Sequence, residues 1–197
     1  MVGSFYQPER VLIDPNMLKT LPKEYFNDGL GEAIKYACIK DENLFNMLYS
    51  KDIYNNIEYL IFTCLNIKKE FIEKAEKDKG LRMILNFGHT IGHAIEKHLN
   101  YSVSHGEAVC MGMNYITKNS QKLGFTKPGT VEKLTSLFEI YNINYKLNTN
   151  TEDIIKYIYK DKKNEANIIN LILLKEIGSA FIKKVPVKNI YDYVNLG

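Results

Sequence analysis

Residues Leu85 to Glu107, LNFGHTIGHAIEKHLNYSVSHGE, hold all four histidines of the chain: His89, His93, His98 and His105. Histidine is the commonest protein metal ligand and the usual proton shuttle near neutral pH. His89 and His93 are four apart, so a helix over Gly88 to Leu99 sets both imidazoles on one face, about one turn apart. Asn100 to Ser104 is a short polar loop, and His105 opens the next helical run, so the chain can turn back and bring His105 near the first pair. The same stretch fixes the fold class. Ile91, Ala94 and Ile95 give the histidine helix an apolar face, and the next run, Glu107 to Leu123, begins apolar nearly all round (Ala108, Val109, Cys110, Met111, Met113), as a central helix should.

Spacing alone leaves plainer readings open. A His-x-x-x-His pair is equally consistent with two unrelated half-buried imidazoles. His98 lacks the spacing, follows Lys97 and reads as solvated. His105 taken alone reads as a helix-start residue. Catalytic zinc typically takes three His or Glu ligands and leaves a position open, so the cluster needs a carboxylate. The His-Glu-x-x-His of zinc proteases is absent, because Thr90 follows His89, which disfavours a protease.

Outward from this stretch the chain reads as helix after helix. Met1 to Asp14 is extended in character. Asp14-Pro15 starts a short helical turn through Leu18, and Pro22 reads as the first helical position of a second start. Gly29-Leu30-Gly31 interrupts or re-aims that helix, and Glu32 to Lys40 resumes with Ala33, Ile34, Ala37 and Cys38 on one face. Glu42 to Tyr49 follows. Tyr54 to Lys79 is the longest periodic segment, with Ile57, Leu60, Ile61, Cys64, Ile67 and Phe71 as its stripe and Gly80 as its stop. Val131 to Tyr141 and Thr151 to Tyr159 are further helices. Ile168 to Leu174 and Ser179 to Pro186 are β-rich and split by Lys175 to Gly178, a hairpin signal. Val187 to Val194 closes as a short helix. The expected architecture is mainly α: a helical bundle with a small β-hairpin near the C-terminus. No strand–Gly-rich turn–helix unit exists, so neither a Rossmann site nor a P-loop can be built.

Composition sets the outer limits. A chain of 197 residues with 45% hydrophobic and 25% charged residues is an ordinary globular protein. The net charge of +3, scattered rather than blocked, points away from nucleic acid and fits an anionic small substrate. Cys38, Cys64 and Cys110 are odd in number and far apart, and read as reduced core thiols of a cytoplasmic protein. No apolar run approaches the ~20 residues of a membrane span, and no signal-peptide layout is present.

Several motifs, in order, now carry a resemblance: Gly3-Ser4-Phe5-Tyr6-Gln7-Pro8, Leu18-Lys19-Thr20-Leu21-Pro22, Gly29-Leu30-Gly31-Glu32-Ala33-Ile34-Lys35-Tyr36, Gly80-Leu81-Arg82, Leu85 to Glu96, His105-Gly106-Glu107-Ala108-Val109 and Asp161-Lys162-Lys163. Together they cover nearly the whole chain, and it resembles the C-terminal domain of the 3-dehydroquinate synthase family. Residues 1–197 are then expected to form that single helical domain. Residues 1–14 would be its extended lead-in from an N-terminal NAD-binding domain of α/β type, which the family's enzymes carry before this point. The chain alone is expected to be inactive.

The resemblance implies Glu32, His89 and His105 as ligands of zinc or cobalt. It implies Lys68 and Arg82 near a substrate carboxylate, and Asn86, His93 and one of Lys162 or Lys163 near a phosphate. Lys35 should meet a substrate oxygen. His93 is then a substrate and proton-relay residue, although its spacing permits a ligand equally. Met17, Leu18, Lys19 and Thr20 would touch the edge of NAD. The implied reaction converts 3-deoxy-arabino-heptulosonate 7-phosphate to 3-dehydroquinate and phosphate, in the shikimate route to aromatic amino acids. Bound NAD oxidises a ring hydroxyl, phosphate is eliminated, the ketone is reduced again, and ring opening and an aldol step close the carbocycle. The family's enzymes are homodimers as a rule.

Two rivals have distinct signatures. A related sugar-phosphate cyclase shares most of the motifs. A metal-dependent polyol dehydrogenase shares the fold, yet has no need of Arg82 and Asp161-Lys162-Lys163. A non-catalytic helical module would have no use for clustered histidines.

Overall fold

The computed structural model describes residues 8–74, 80–162 and 167–195, together with Gly3 and Tyr6; at 160–162 it describes the backbone. The elements follow the apolar periodicities. They are α1 (Lys23–Lys40), α2 (Glu42–Tyr49), α3 (Ile57–Lys74), α4 (His89–His98), α5 (His105–Lys122), α6 (Thr130–Ile140), α7 (Thr151–Lys162), β1 (Ile168–Glu176), β2 (Ser179–Pro186) and α8 (Tyr191–Val194). Three 3-10 turns, Pro15–Thr20, Leu81–Asn86 and Val187–Asn189, join them. Among the described residues no helix is long and apolar enough to cross a membrane.

α5 is the axis. Ala108 to Thr117 are buried without a break, and α4, α1, α6, α8 and β1 all pack on this helix. A helix apolar all round must be enclosed, so its neighbours are arranged about it. Its polar groups are answered internally: the Asn119 amide donates to the carbonyls of Tyr193 (3.2 Å) and Asn195 (2.8 Å), tying α8 down. Ser104 caps α5, its hydroxyl accepting from Glu107 N. Asp41 caps α2, its carboxylate accepting from Leu44 N at 3.0 Å.

Several sequence expectations are corrected. Gly29-Leu30-Gly31 does not interrupt a helix, because α1 runs unbroken from Lys23 to Lys40. Gly31 is there for packing: a Cβ would stand 2.9 Å from the Gly106 carbonyl oxygen and 3.0 Å from Cys110 Sγ, so α1 and α5 touch backbone to backbone. Pro22 is the N-cap rather than the first helical residue. α3 starts at Ile57, after a turn over 53–56. Its end beyond Lys74, placed at Lys79 by the sequence, lies outside the described residues, as do Ser4, Phe5 and Gln7 of the first motif. The hairpin turns on Ile177-Gly178 alone, since β1 continues through Lys175 and Glu176. Its strands pair antiparallel, Ile168 with Pro186 through Leu174 with Ala180, with an irregularity before Glu176 and Ser179. The C-terminal helix is two pieces, Val187–Asn189 and Tyr191–Val194.

Candidate metal and substrate site

The site lies where α1, α4 and the first turn of α5 meet. Glu32 is on α1, His89 opens α4 and His105 opens α5. The loop between α4 and α5 reverses through left-handed Asn100 (φ 49) and Tyr101 (φ 58), which returns His105 to His89 as the sequence anticipates. Gly88 is the N-cap of α4 at φ +80, a conformation that suits glycine. Across from it Gly112 of α5 has no side chain; a Cβ there would overlap the Gly88 carbonyl oxygen. This close crossing sets the height of His89 over α5.

Glu32 Oε1 lies 3.6 Å from His89 Nε2 and 3.9 Å from His105 Nε2. The three donor atoms all lie within 4.8 Å of one another. Glu32 Oε1 is buried and has no hydrogen-bond partner among the described residues. A buried carboxylate oxygen without a partner is costly, and facing two imidazole nitrogens it fits a divalent metal: two nitrogens and one oxygen, the donor set of catalytic zinc. The other oxygen, Oε2, is held by Lys35 Nζ at 2.6 Å. His89 Nδ1 lies 3.1 Å from the Phe87 carbonyl, which assigns the proton to Nδ1 and leaves Nε2 free to bind. His105 Nδ1 meets Glu96 Oε1 at 3.2 Å.

Burial sets the protonation states. His89 is 13% exposed and its pKa is pushed down to about 4, first by desolvation and then by the Lys35 cation, against the Phe87 carbonyl and Glu32. It is therefore a neutral imidazole at pH 7, as a ligand must be. Lys35 is 3% exposed, and desolvation lowers its pKa although Glu32 opposes the shift. Tyr36 beside it is pushed up to about 12, by burial first and Glu32 next.

A cavity of about 380 Å3 opens on this cluster, lined by Glu32, Lys35, Tyr36, Lys68, Arg82, Met83, Leu85, Asn86 and His89. The structure thus gathers Lys35, Lys68, Arg82 and Asn86 around one space. Arg82 and Asn86 come from the 3-10 turn Leu81–Asn86, a segment without helical periodicity. Lys69, next to Lys68 in the chain, pairs with Glu73 at 3.7 Å. His93 is exposed and outside this lining, but its ring centroid is 5.4 Å from His89 and 5.9 Å from His105. Leu18 lines a separate apolar cavity, which shares Tyr36 with the polar one, while Met17, Lys19 and Thr20 are exposed. The side chain of Lys162 and all of Lys163 lie outside the described residues.

His98 is corrected: it is half-buried, its Nε2 2.9 Å from Thr149 Oγ1 and its ring against Tyr157. Sequence reasoning gave no role to Glu96 or Tyr36. For Glu96 a signal existed, since 89, 93 and 96 share one face of a helix.

Comparison with known proteins shows the family. The family described as 3-dehydroquinate synthase C-terminal matches residues 29–164. The 3-dehydroquinate synthase of Clostridium perfringens (strain 13) is 51% identical over 194 residues, covering 95% of this chain and 55% of the relative. That of Clostridium acetobutylicum is 48% identical over 202 residues, covering 100% of this chain and 57% of the relative. The chain therefore spans about half the length of the curated relatives it matches. A 2-deoxy-scyllo-inosose synthase, solved with carbaglucose-6-phosphate, NAD+ and Co2+, superposes with a TM-score of 0.74 at 22% identity, over 92% of this chain and 55% of that one; this likeness concerns the fold. With residues 29–164 matched and about half of all aligned positions identical to the clostridial synthases, the chain belongs to the 3-dehydroquinate synthase C-terminal family.

Proposed function

We propose that this chain is the metal- and substrate-binding part of a cytoplasmic 3-dehydroquinate synthase, acting on 3-deoxy-arabino-heptulosonate 7-phosphate. Residues 1–197 form one helical domain in this reading, with 1–14 as its lead-in. The main dinucleotide site belongs to the length of the relatives that this chain does not span, with Met17, Leu18, Lys19 and Thr20 at its edge. The complete enzyme is a homodimer. The observation that carries the proposal is the partnerless, buried Glu32 Oε1 facing two imidazole Nε2 atoms, beside a cavity rich in cations.

When bound, zinc or cobalt supplies Lewis acidity to two vicinal hydroxyls of the substrate, and NAD takes up and returns a hydride. The rest of the work falls to the side chains. Glu32, His89 and His105 hold the ion. Arg82 offers a planar fork to the substrate carboxylate, and Lys68 adds a point charge. Asn86 and His93, with Lys162 or Lys163, receive the phosphate; the exposed His93 imidazole is free to carry a proton as phosphate leaves. Lys35, desolvated and pinned by Glu32, donates to a substrate oxygen next to the ion. Its lowered pKa makes proton movement at Nζ easier than for a solvated lysine. Tyr36, kept protonated by burial, offers a neutral hydroxyl at the cavity wall.

A chimera tests the reading: this chain replacing the corresponding half of the Clostridium perfringens relative. With NAD and zinc it should release phosphate from the heptulosonate phosphate and form 3-dehydroquinate. A folded, metal-loaded chimera that instead cyclises a hexose phosphate, or oxidises glycerol without phosphate release, would overturn it.

A further inference from the structure

We propose that Glu96 is the positioning residue for His105: its carboxylate accepts the Nδ1 proton and so fixes the imidazole with the Nε2 lone pair directed toward Glu32. The inference rests on the metal reading of Glu32, His89 and His105 given above. Glu96 Oε1 is 3.2 Å from His105 Nδ1, while His105 Nε2 is the atom that faces Glu32 Oε1 at 3.9 Å. A neutral imidazole has one N–H and one lone pair, and a carboxylate only accepts. With Nδ1 on Glu96, the proton is at Nδ1 and the lone pair is at Nε2, the state a ligand requires.

The two histidines reach that state by different routes. His89 is 13% exposed and fastened to the Phe87 carbonyl, so backbone and packing hold it. His105 is 42% exposed at the first residue of α5, where nothing in its own helix restrains the ring. Glu96, on α4 and 13% exposed, supplies that restraint. Local helix energetics do not explain this carboxylate. It lies in the last turn of α4, where the helix dipole disfavours negative charge, and the contact it makes there is with His105 Nδ1.

Glu96 also stands within metal-binding reach of His93 and His105. A second ion there would have to take Nδ1 of an imidazole whose Nε2 serves the first site. A hydrogen bond needs only the proton already present.

The test is zinc affinity by chelator competition on the whole chain, for wild type, Glu96→Gln, Glu96→Ala, His105→Ala and His89→Ala. Nitrogen-15 spectra of the metal-free proteins report the His105 tautomer. Glu96→Ala should weaken zinc binding by about 10–100-fold at unchanged stoichiometry, and should shift His105 away from the Nδ1–H tautomer. Glu96→Gln keeps an acceptor, so it should lose less affinity and retain the tautomer. Wild-type affinity and tautomer in Glu96→Ala would overturn the proposal. So would a loss as complete as in His105→Ala, which would make Glu96 a ligand. Unchanged affinity in His89→Ala would instead bring down the metal reading, whatever Glu96 does, and the proposal with it.

Discussion

Replacing Gly112 by alanine tests the helix crossing that carries the site. A Cβ at Gly112 would overlap the Gly88 carbonyl oxygen and stand 2.9 Å from Gly92 N, whereas ordinary contact begins near 3.4 Å. Both obstacles are backbone, so no side chain can swing aside; α4 must move off α5 by at least about 0.5 Å at Gly92 and further at Gly88. Alanine in a helix gains roughly 1 kcal/mol over glycine, and overpacking of this kind costs about 3 kcal/mol. The net expectation is a loss of about 2 kcal/mol, or roughly 4–8 °C in Tm for a chain of this size. Gly29→Ala is the control: it is in the same kind of helix, but a Cβ there meets nothing within 4 Å, so it should gain about 0.5–1 kcal/mol. Urea unfolding followed by circular dichroism reads both. Because His89 follows Gly88 directly, Gly112→Ala should also weaken zinc binding. A Gly112→Ala protein as stable as wild type, with wild-type zinc affinity, would refute the reasoning.

Other consequences follow from single contacts. Arg82→Lys in the chimera should raise KM for the heptulosonate phosphate by about tenfold or more, since an ammonium cannot reproduce bidentate carboxylate binding; steady-state kinetics read it, and an unchanged KM would remove Arg82 from the site. Asn119→Ala should cost about 2–3 kcal/mol, because it removes the amide that donates to the carbonyls of Tyr193 and Asn195. Hydrogen exchange should rise first in α8. Glu70 bridges Lys40 and Lys74 at 2.8 and 2.6 Å, and its pKa is lowered by those hydrogen bonds. A carboxyl with a depressed folded pKa adds stability above its unfolded value near 4.5, and that stability is lost as pH falls through the folded value. The pair is more than a third exposed, so screening holds its worth to about 0.5 kcal/mol. Glu70→Gln should cost that much at pH 7 and nothing at pH 2; an equal cost at both pH values would contradict the assignment.

The sequence carried the helices well where one face is apolar, as in α2 with Leu44, Phe45 and Leu48 buried. The burial of α5 was legible because apolar residues ran all round it. Glycine was misread at Gly29-Leu30-Gly31, since a glycine for backbone contact and a glycine that breaks a helix look alike in one sequence. The difference lies in Gly106 and Cys110, far along the chain. The 3-10 turn Leu81–Asn86 has no period to detect, yet it delivers Arg82 and Asn86. His98 looked solvated because its partner, Thr149, lies beyond α6. The histidine cluster was visible from spacing and loop length, but the choice of Glu32 as its carboxylate came from the motif resemblance; the packing of both α1 and α4 against α5 brings that residue within 4 Å of both imidazoles.

The most direct measurement is the metal content of the purified chain after dialysis against a weak chelator, for wild type, His89→Ala and Glu32→Gln. The account predicts about one zinc per wild-type chain and a loss of that zinc in both variants, because all three ligands lie in this chain. Zinc retained in full by the variants, or none taken up by a folded wild type, would contradict it.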